Sequence, residues 1–280
     1  MNKAGRIILQ YVVVPLSCMI AYYLLISISL EIVRAFAGEN YMDYDYVIYT
    51  IEGILGIALA LLWFHMYKRA GYPKVPFSKG ATEDRVIAVV SALAMLGLSA
   101  LYFMIISRFK TPYIEKSIEE YNEMMNVPHP SALGVVLSLI SSCILIPVLE
   151  EMVFRGVVFE GMLQVGEPVS AILLSGFCFG VMHGQIIQIG YAFIAGIILA
   201  LVYYVTKNLF MSILAHMVFN FLGSGIYLLF NVPEYVEYML DFVEYAAIPV
   251  FIILTALLIR YKKKAAQKKE TVLTEGRGEQ

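Results

Sequence analysis

Charge is what this 280-residue chain has least of: 15% of its residues are Asp, Glu, Lys or Arg, against 60% hydrophobic. A soluble domain carries about 25% charged and about 45–50% apolar residues. A soluble globular protein is thereby excluded, and an integral membrane protein is expected. Cysteine is scarce too. Cys18, Cys143 and Cys178 all sit in apolar runs without CxxC spacing, so they read as small buried hydrophobes rather than disulfides or zinc ligands. With a net charge of −2 and no basic stripe outside the C-terminal tail, nothing invites nucleic acid. No GxSxG occurs, no Cys has an obvious base, and HExxH is missing. Serine and cysteine nucleophiles and the helix-borne zinc protease motif therefore drop out. There is no internal repeat of 20–50 residues and no low-complexity domain, so a single bundle is expected.

Long apolar runs are what the chain does contain. A spanning helix needs about 20 apolar residues, which predicts an all-α polytopic bundle with about eight spans. We read them at 7–30, 46–67, 86–107, 131–164, 168–183, 186–206, 208–230 and 243–261. The first holds no charge over 24 residues, Ile7 to Leu30. That exceeds the about 7–15 residues of a signal-peptide core and suits an uncleaved span. Pro168 to Thr206 has His183 as its only potentially charged residue and breaks at Gly184-Gln185.

Charge places both termini in the cytoplasm. With eight spans and a cytoplasmic start, fifteen Lys and Arg fall inside, from Lys3 to Arg277, against four outside (Arg34, Arg108, Lys110 and Lys116). Such a bias is the positive-inside pattern. The outer segments are acidic instead, at 39–45, 115–123 and 234–244. Residues 1–261 thus form one transmembrane unit in the cell membrane with lipid as its main partner. Residues 262–280 form a basic, then polar, cytoplasmic tail. Trp63, Tyr67 and Lys68 read as an interfacial anchor that includes His65. Glu52, two turns into the second span, reads as snorkelling outward, and Glu160 as solvated at the inner surface. Ile114, Ile118, Tyr121 and Met125 predict a short amphipathic helix on the membrane in the outer loop 109–130. His129, between two prolines, reads as a loop residue.

Against this background one stretch stands out: Pro147-Val-Leu-Glu150-Glu151-Met-Val-Phe154-Arg155. Ionised carboxylates in hydrocarbon cost several kcal/mol and usually face a polar cavity with a function. Glu151 and Arg155 are four apart with the acid N-terminal, the better orientation for an ion pair. Glu150 points about 100° away from Glu151. A helix end with solvated charges would explain this segment alone. Further along, His183 closes the fifth span, and His216 and Asn220 share one face of the seventh. Singly, each could be interhelical glue. Two acids, an Arg, two His and an Asn in three spans are too many for that. Counted from a turn at Gly166, Glu150 and His183 fall at the same height, while His216 is offset by about 10 Å. A kink at Pro147, a tilt or a projecting helix pair would absorb the offset.

A carboxylate and an imidazole sharing a water provide a general base and a proton donor, which suits hydrolysis. His216 and Asn220 could donate to an oxyanion. Glu150, His183 and His216 could still be three ligands of a catalytic zinc, so water activated by Glu150 is preferred and zinc is the rival. Intramembrane Glu and His also make proton relays, so a proton-coupled transporter is a rival class, although inverted repeats are absent.

The motifs Glu150-Glu151-x-x-x-Arg155, Phe179-x-x-x-His183 and His216-x-x-x-Asn220 occur in order in three spans. In this the chain resembles the CPBP intramembrane proteases, which include CaaX prenyl endopeptidases and the bacteriocin-processing and immunity relatives (Abi). The resemblance covers about residues 130–225. It implies a bundle with its site open toward the cytosol, Glu150 and His183 activating water, and His216 and Asn220 holding the oxyanion. Glu151, Arg155 and Phe179 would support them. It implies a membrane-associated, prenylated or peptide substrate and no obligatory cofactor, with a metalloprotease as the variant. A non-catalytic immunity protein is the other alternative.

Overall fold

A computed structural model describes residues 2–69, 75–125, 131–229 and 245–261. Among these residues there is no strand. Six helices are long and apolar enough to cross a membrane: α1 (Lys3–Tyr41), α2 (Asp45–Arg69), α3 (Thr82–Ile106), α5 (Ala132–Leu163), α7 (Ile186–Thr206) and α8 (Leu209–Leu229). Two apolar helices are shorter, α6 (Pro168–Met182) and α9 (Val250–Tyr261). The amphipathic α4 (Pro112–Met125) joins α3 to α5. The eight apolar helices fall on the eight predicted segments, and the chain is an all-α, multi-pass membrane protein. His129, the tail 262–280 and the acidic stretch 234–244 lie outside the described residues. Side chains such as Leu24, Ile54, Leu61 and Ile252 are exposed, as expected where lipid, not water, is the neighbour.

The 15 residues of α6 at about 1.5 Å each reach about 22 Å, short of a hydrocarbon core of about 30 Å. The helix is thus shorter than the core it would cross, and it ends at His183. Gly184 follows with φ +73°, which reverses the chain into α7.

α5 runs through the middle of the bundle and is not a regular α-helix. Its hydrogen bonds widen to the π pattern over Ser141–Leu145 and again over Phe154–Phe159. The first widening lies just before Pro147, which has no N–H to give the preceding turn. Ile146 N–H reaches back five residues to the Ser141 carbonyl. The bend expected at Pro147 is thus taken up as a change of register. At the other end Tyr203, three residues before the end of α7, bonds Glu160, three residues before the end of α5.

Close backbone approach fixes the neighbours of α5. A Cβ on Gly53 of α2 would stand 2.6 Å from Leu145 Cβ, and one on Gly56 would stand 2.5 Å from Leu149 Cδ2. On α2 the buried positions are Ile48, Glu52, Gly53, Gly56 and Ala60, a stripe turned toward α5. Helices α6 and α7 touch where a Cβ on Gly196 would meet Gly176 Cα at 2.9 Å. Without a hydrophobic drive between helices in lipid, such small-residue contacts are how they pack.

Candidate active site

Glu151 and Arg155, one turn apart on α5, are both fully buried, and Arg155 Nη1 donates to Glu151 Oε1 at 2.6 Å. Arg155 Nη2 donates to the Gly196 carbonyl of α7 at 2.9 Å. Its guanidinium lies 4.6 Å over the Phe179 ring of α6. This one side chain thereby links three helices through an ion pair, a hydrogen bond and a cation–π contact.

His216 of α8 approaches the same carboxylate. Its Nδ1 lies 3.0 Å from Glu151 Oε1. A carboxylate paired with Arg accepts only, so Nδ1 carries the hydrogen. The other ring nitrogen, Nε2, is turned to Glu150 Oε2 at 3.6 Å, beyond a hydrogen bond but within ion-pair range. Two adjacent acids about 100° apart on the helix thus meet the two nitrogens of one imidazole.

His183 is half-buried at the end of α6, and its Nδ1 is 2.9 Å from the Phe179 carbonyl. A carbonyl only accepts, so Nδ1 is the N–H and Nε2 keeps its lone pair. Phe179 is the common wall of the site. Its ring centroid is 5.0 Å from that of His183, 5.6 Å from that of His216 and 5.2 Å from that of Phe154. Glu150, Glu151, Arg155, Phe179 and His216 are therefore brought together, and His183 joins them through Phe179.

Asn220 lies one turn beyond His216. Its Nδ2 donates to the Ser142 carbonyl at 2.9 Å, two turns before Glu150 on α5. One of its two amide hydrogens is thus committed to clamping α8 onto the π stretch of α5.

Two expectations are corrected. Glu52 does not snorkel outward: it is 1% exposed and faces the Tyr22 hydroxyl. It sits on the stripe that Gly53 and Gly56 press against α5, so the inward face decides its environment. Glu160 is not free in water but half-buried, accepting from the Tyr203 hydroxyl at 2.9 Å. Two tyrosines also go unsignalled by the sequence. Tyr22 donates to Glu150 Oε1 at 3.4 Å, and Tyr23 to the Met182 carbonyl, beside His183, at 3.0 Å. Consecutive residues of α1 thus hold both sides of the site. A lone acid at i, i+4 from Gly56 is the signal that could have turned Glu52 inward; nothing marks Tyr22 among 20 tyrosines.

The predicted amphipathic helix exists as α4, and it docks on the bundle. Gln185 Nε2 donates to the Ser117 carbonyl at 2.8 Å, and Tyr121 stacks edge-on against Tyr191. It thereby covers the turn that carries His183.

For zinc, the ligands would be Glu150, His183 and His216. Among the described residues no three His, Cys, Asp or Glu side chains are grouped to hold a metal ion.

Buried acids, imidazoles and a guanidinium at the centre of a multi-span bundle define a membrane-embedded acid–base site. A family model described as Type II CAAX prenyl endopeptidase Rce1-like matches residues 132–222, the segment from α5 into α8 that carries every motif. No curated protein and no solved structure matches the chain. The match supports the CPBP, or CAAX protease, family.

Proposed function

We propose that this protein is an intramembrane endopeptidase that hydrolyses a peptide bond of a membrane-associated protein or peptide, with Glu150 as general base. The observation that carries the proposal is the division of labour between two adjacent acids. Glu151 is held by the Arg155 guanidinium at 2.6 Å and by His216 Nδ1 at 3.0 Å, whereas Glu150 meets no guanidinium and has only the Tyr22 hydroxyl at 3.4 Å and His216 Nε2 at 3.6 Å. A water held between Glu150 and the free Nε2 of His183 donates one hydrogen to each. As the water oxygen bonds to the peptide carbonyl carbon, Glu150 takes its proton. The carbonyl electrons move to oxygen, where His216, carrying a second proton on Nε2, and the remaining amide hydrogen of Asn220 stabilise the charge. Glu150 then gives the proton to the leaving nitrogen as the C–N bond breaks, and the base is restored.

The proposal needs no metal. Purified protein should stay active after chelation and hold no stoichiometric zinc; activity lost on chelation and restored by zinc would refute the glutamate route. The primary test uses protein reconstituted in liposomes with membrane-anchored peptides, prenylated CaaX sequences among them. Glu150→Ala and His183→Ala should each insert normally and lose cleavage by on the order of 100-fold or more. Undiminished cleavage by Glu150→Ala removes the mechanism.

A further inference from the structure

The groups described so far leave one buried acid without a task. Glu52 is 1% exposed, and its Oε2 has no partner among the described residues. No basic side chain lies within ion-pair distance of it there. Its carboxyl shares the hydroxyl of Tyr22 with Glu150. Neither Glu52 nor Tyr22 belongs to the matched segment.

A tyrosine hydroxyl has one hydrogen to give and lone pairs to receive. Tyr22 gives its hydrogen to Glu150 Oε1. An ionised carboxylate accepts only, so Glu52 can bond the same hydroxyl only if it supplies a hydrogen itself. Two ionised acids facing one hydroxyl would also repel, and the less compensated one takes up a proton. Glu150 has the His216 ring at 3.6 Å, with Arg155 behind Glu151. Glu52 has no cation, and a buried unpaired carboxylate is costly.

We infer that Glu52 is a protonated third acid of this site, bonded through Tyr22 to Glu150 in the direction Glu52 O–H to Tyr22 O–H to Glu150 carboxylate. Glu52 is then a positioning residue. By holding the single proton of the pair, it leaves Glu150 ionised and fixes Oε1, so that Oε2 faces His216. The protonation state rests on the burial of Glu52, its unpartnered Oε2 and the lack of a basic side chain within ion-pair distance among the described residues; its effect on turnover rests on the proposed protease activity.

Infrared spectra of the purified full chain in lipid bilayers at neutral pH separate the C=O stretch of a protonated carboxyl from carboxylate bands. Wild type should show a carboxylic-acid band that is lost in Glu52→Gln, kept in Glu150→Gln and shifted in Tyr22→Phe. If Glu52→Gln leaves the band unchanged, Glu52 is ionised and the inference is overturned, whatever the protein cleaves. Glutamine keeps shape and a donor, so loss of the band cannot be laid to misfolding. On a membrane-anchored peptide that wild type cleaves, Glu52→Ala should lower kcat about 10-fold with KM unchanged, and Glu52→Gln should recover most of it. Equal kcat for wild type and Glu52→Ala overturns the positioning role. If wild type cleaves nothing while the band behaves as expected, the protease proposal fails and the acid pair stands.

Discussion

Arg155 shows how much can rest on one side chain in a bundle that has few polar residues. Its Nη1 neutralises Glu151, its Nη2 ties α7, and its face lies on Phe179. Removing one partner of a buried pair leaves an uncompensated charge and costs about 3–5 kcal/mol. Arg155→Ala should therefore lower the unfolding temperature in detergent far more than Glu150→Ala, because it leaves Glu151 buried without its guanidinium. An Arg155→Ala protein melting with wild type would mean that Glu151 is neutralised by other means. The motif residues were legible in the sequence because a charge inside an apolar run stands out at once. Glu52 stands out equally, but its distance from the span end points outward while its helix face, shared with Gly53 and Gly56, points into the bundle. Tyr22 was illegible for a different reason: in a span a tyrosine is ordinary, and only its neighbour across the bundle gives it a role.

At the level of elements, length and hydropathy disclose the helices, and the hydrogen-bond register within them stays hidden. The eight apolar segments were visible because hydrocarbon demands apolar residues over a fixed thickness. The π stretches of α5 leave no such trace, since they depend on how Pro147, Asn220 and the facing helices divide the backbone bonds. The approach of α2 is equally specific. Gly53 stands so close to Leu145 that a Cβ would sit 2.6 Å from the Leu145 Cβ, a contact that flexible atoms cannot relieve. Gly53→Val should push α2 off α5 and cost about 1–3 kcal/mol. It should also move Glu52 away from Tyr22. The expected result is a lower melting temperature together with a shifted carboxylic-acid band, and an unshifted band would uncouple the position of α2 from the acid pair.

For the whole molecule, the open question of mechanism is which face of the membrane the site serves. Fifteen basic residues against four put the segment before α3 inside and the α3–α5 connection outside. That connection contains α4, which meets the His183 turn through Gln185 and α7 through Tyr121 and Tyr191. On charge alone, the covered end of the site faces outward, and any opening toward the cytosol, as the family resemblance implies, must lie on the other side of Glu150. Two exposed lysines measure this. Lys116 stands on α4, paired only at its surface with Glu120 at 3.5 Å, and Lys79 lies in the segment before α3. In intact cells a membrane-impermeant maleimide should label Lys116→Cys, whereas Lys79→Cys should react only after permeabilisation. The reverse pattern would place α4 and the His183 turn on the cytosolic face, and the charge bias would then not have governed insertion.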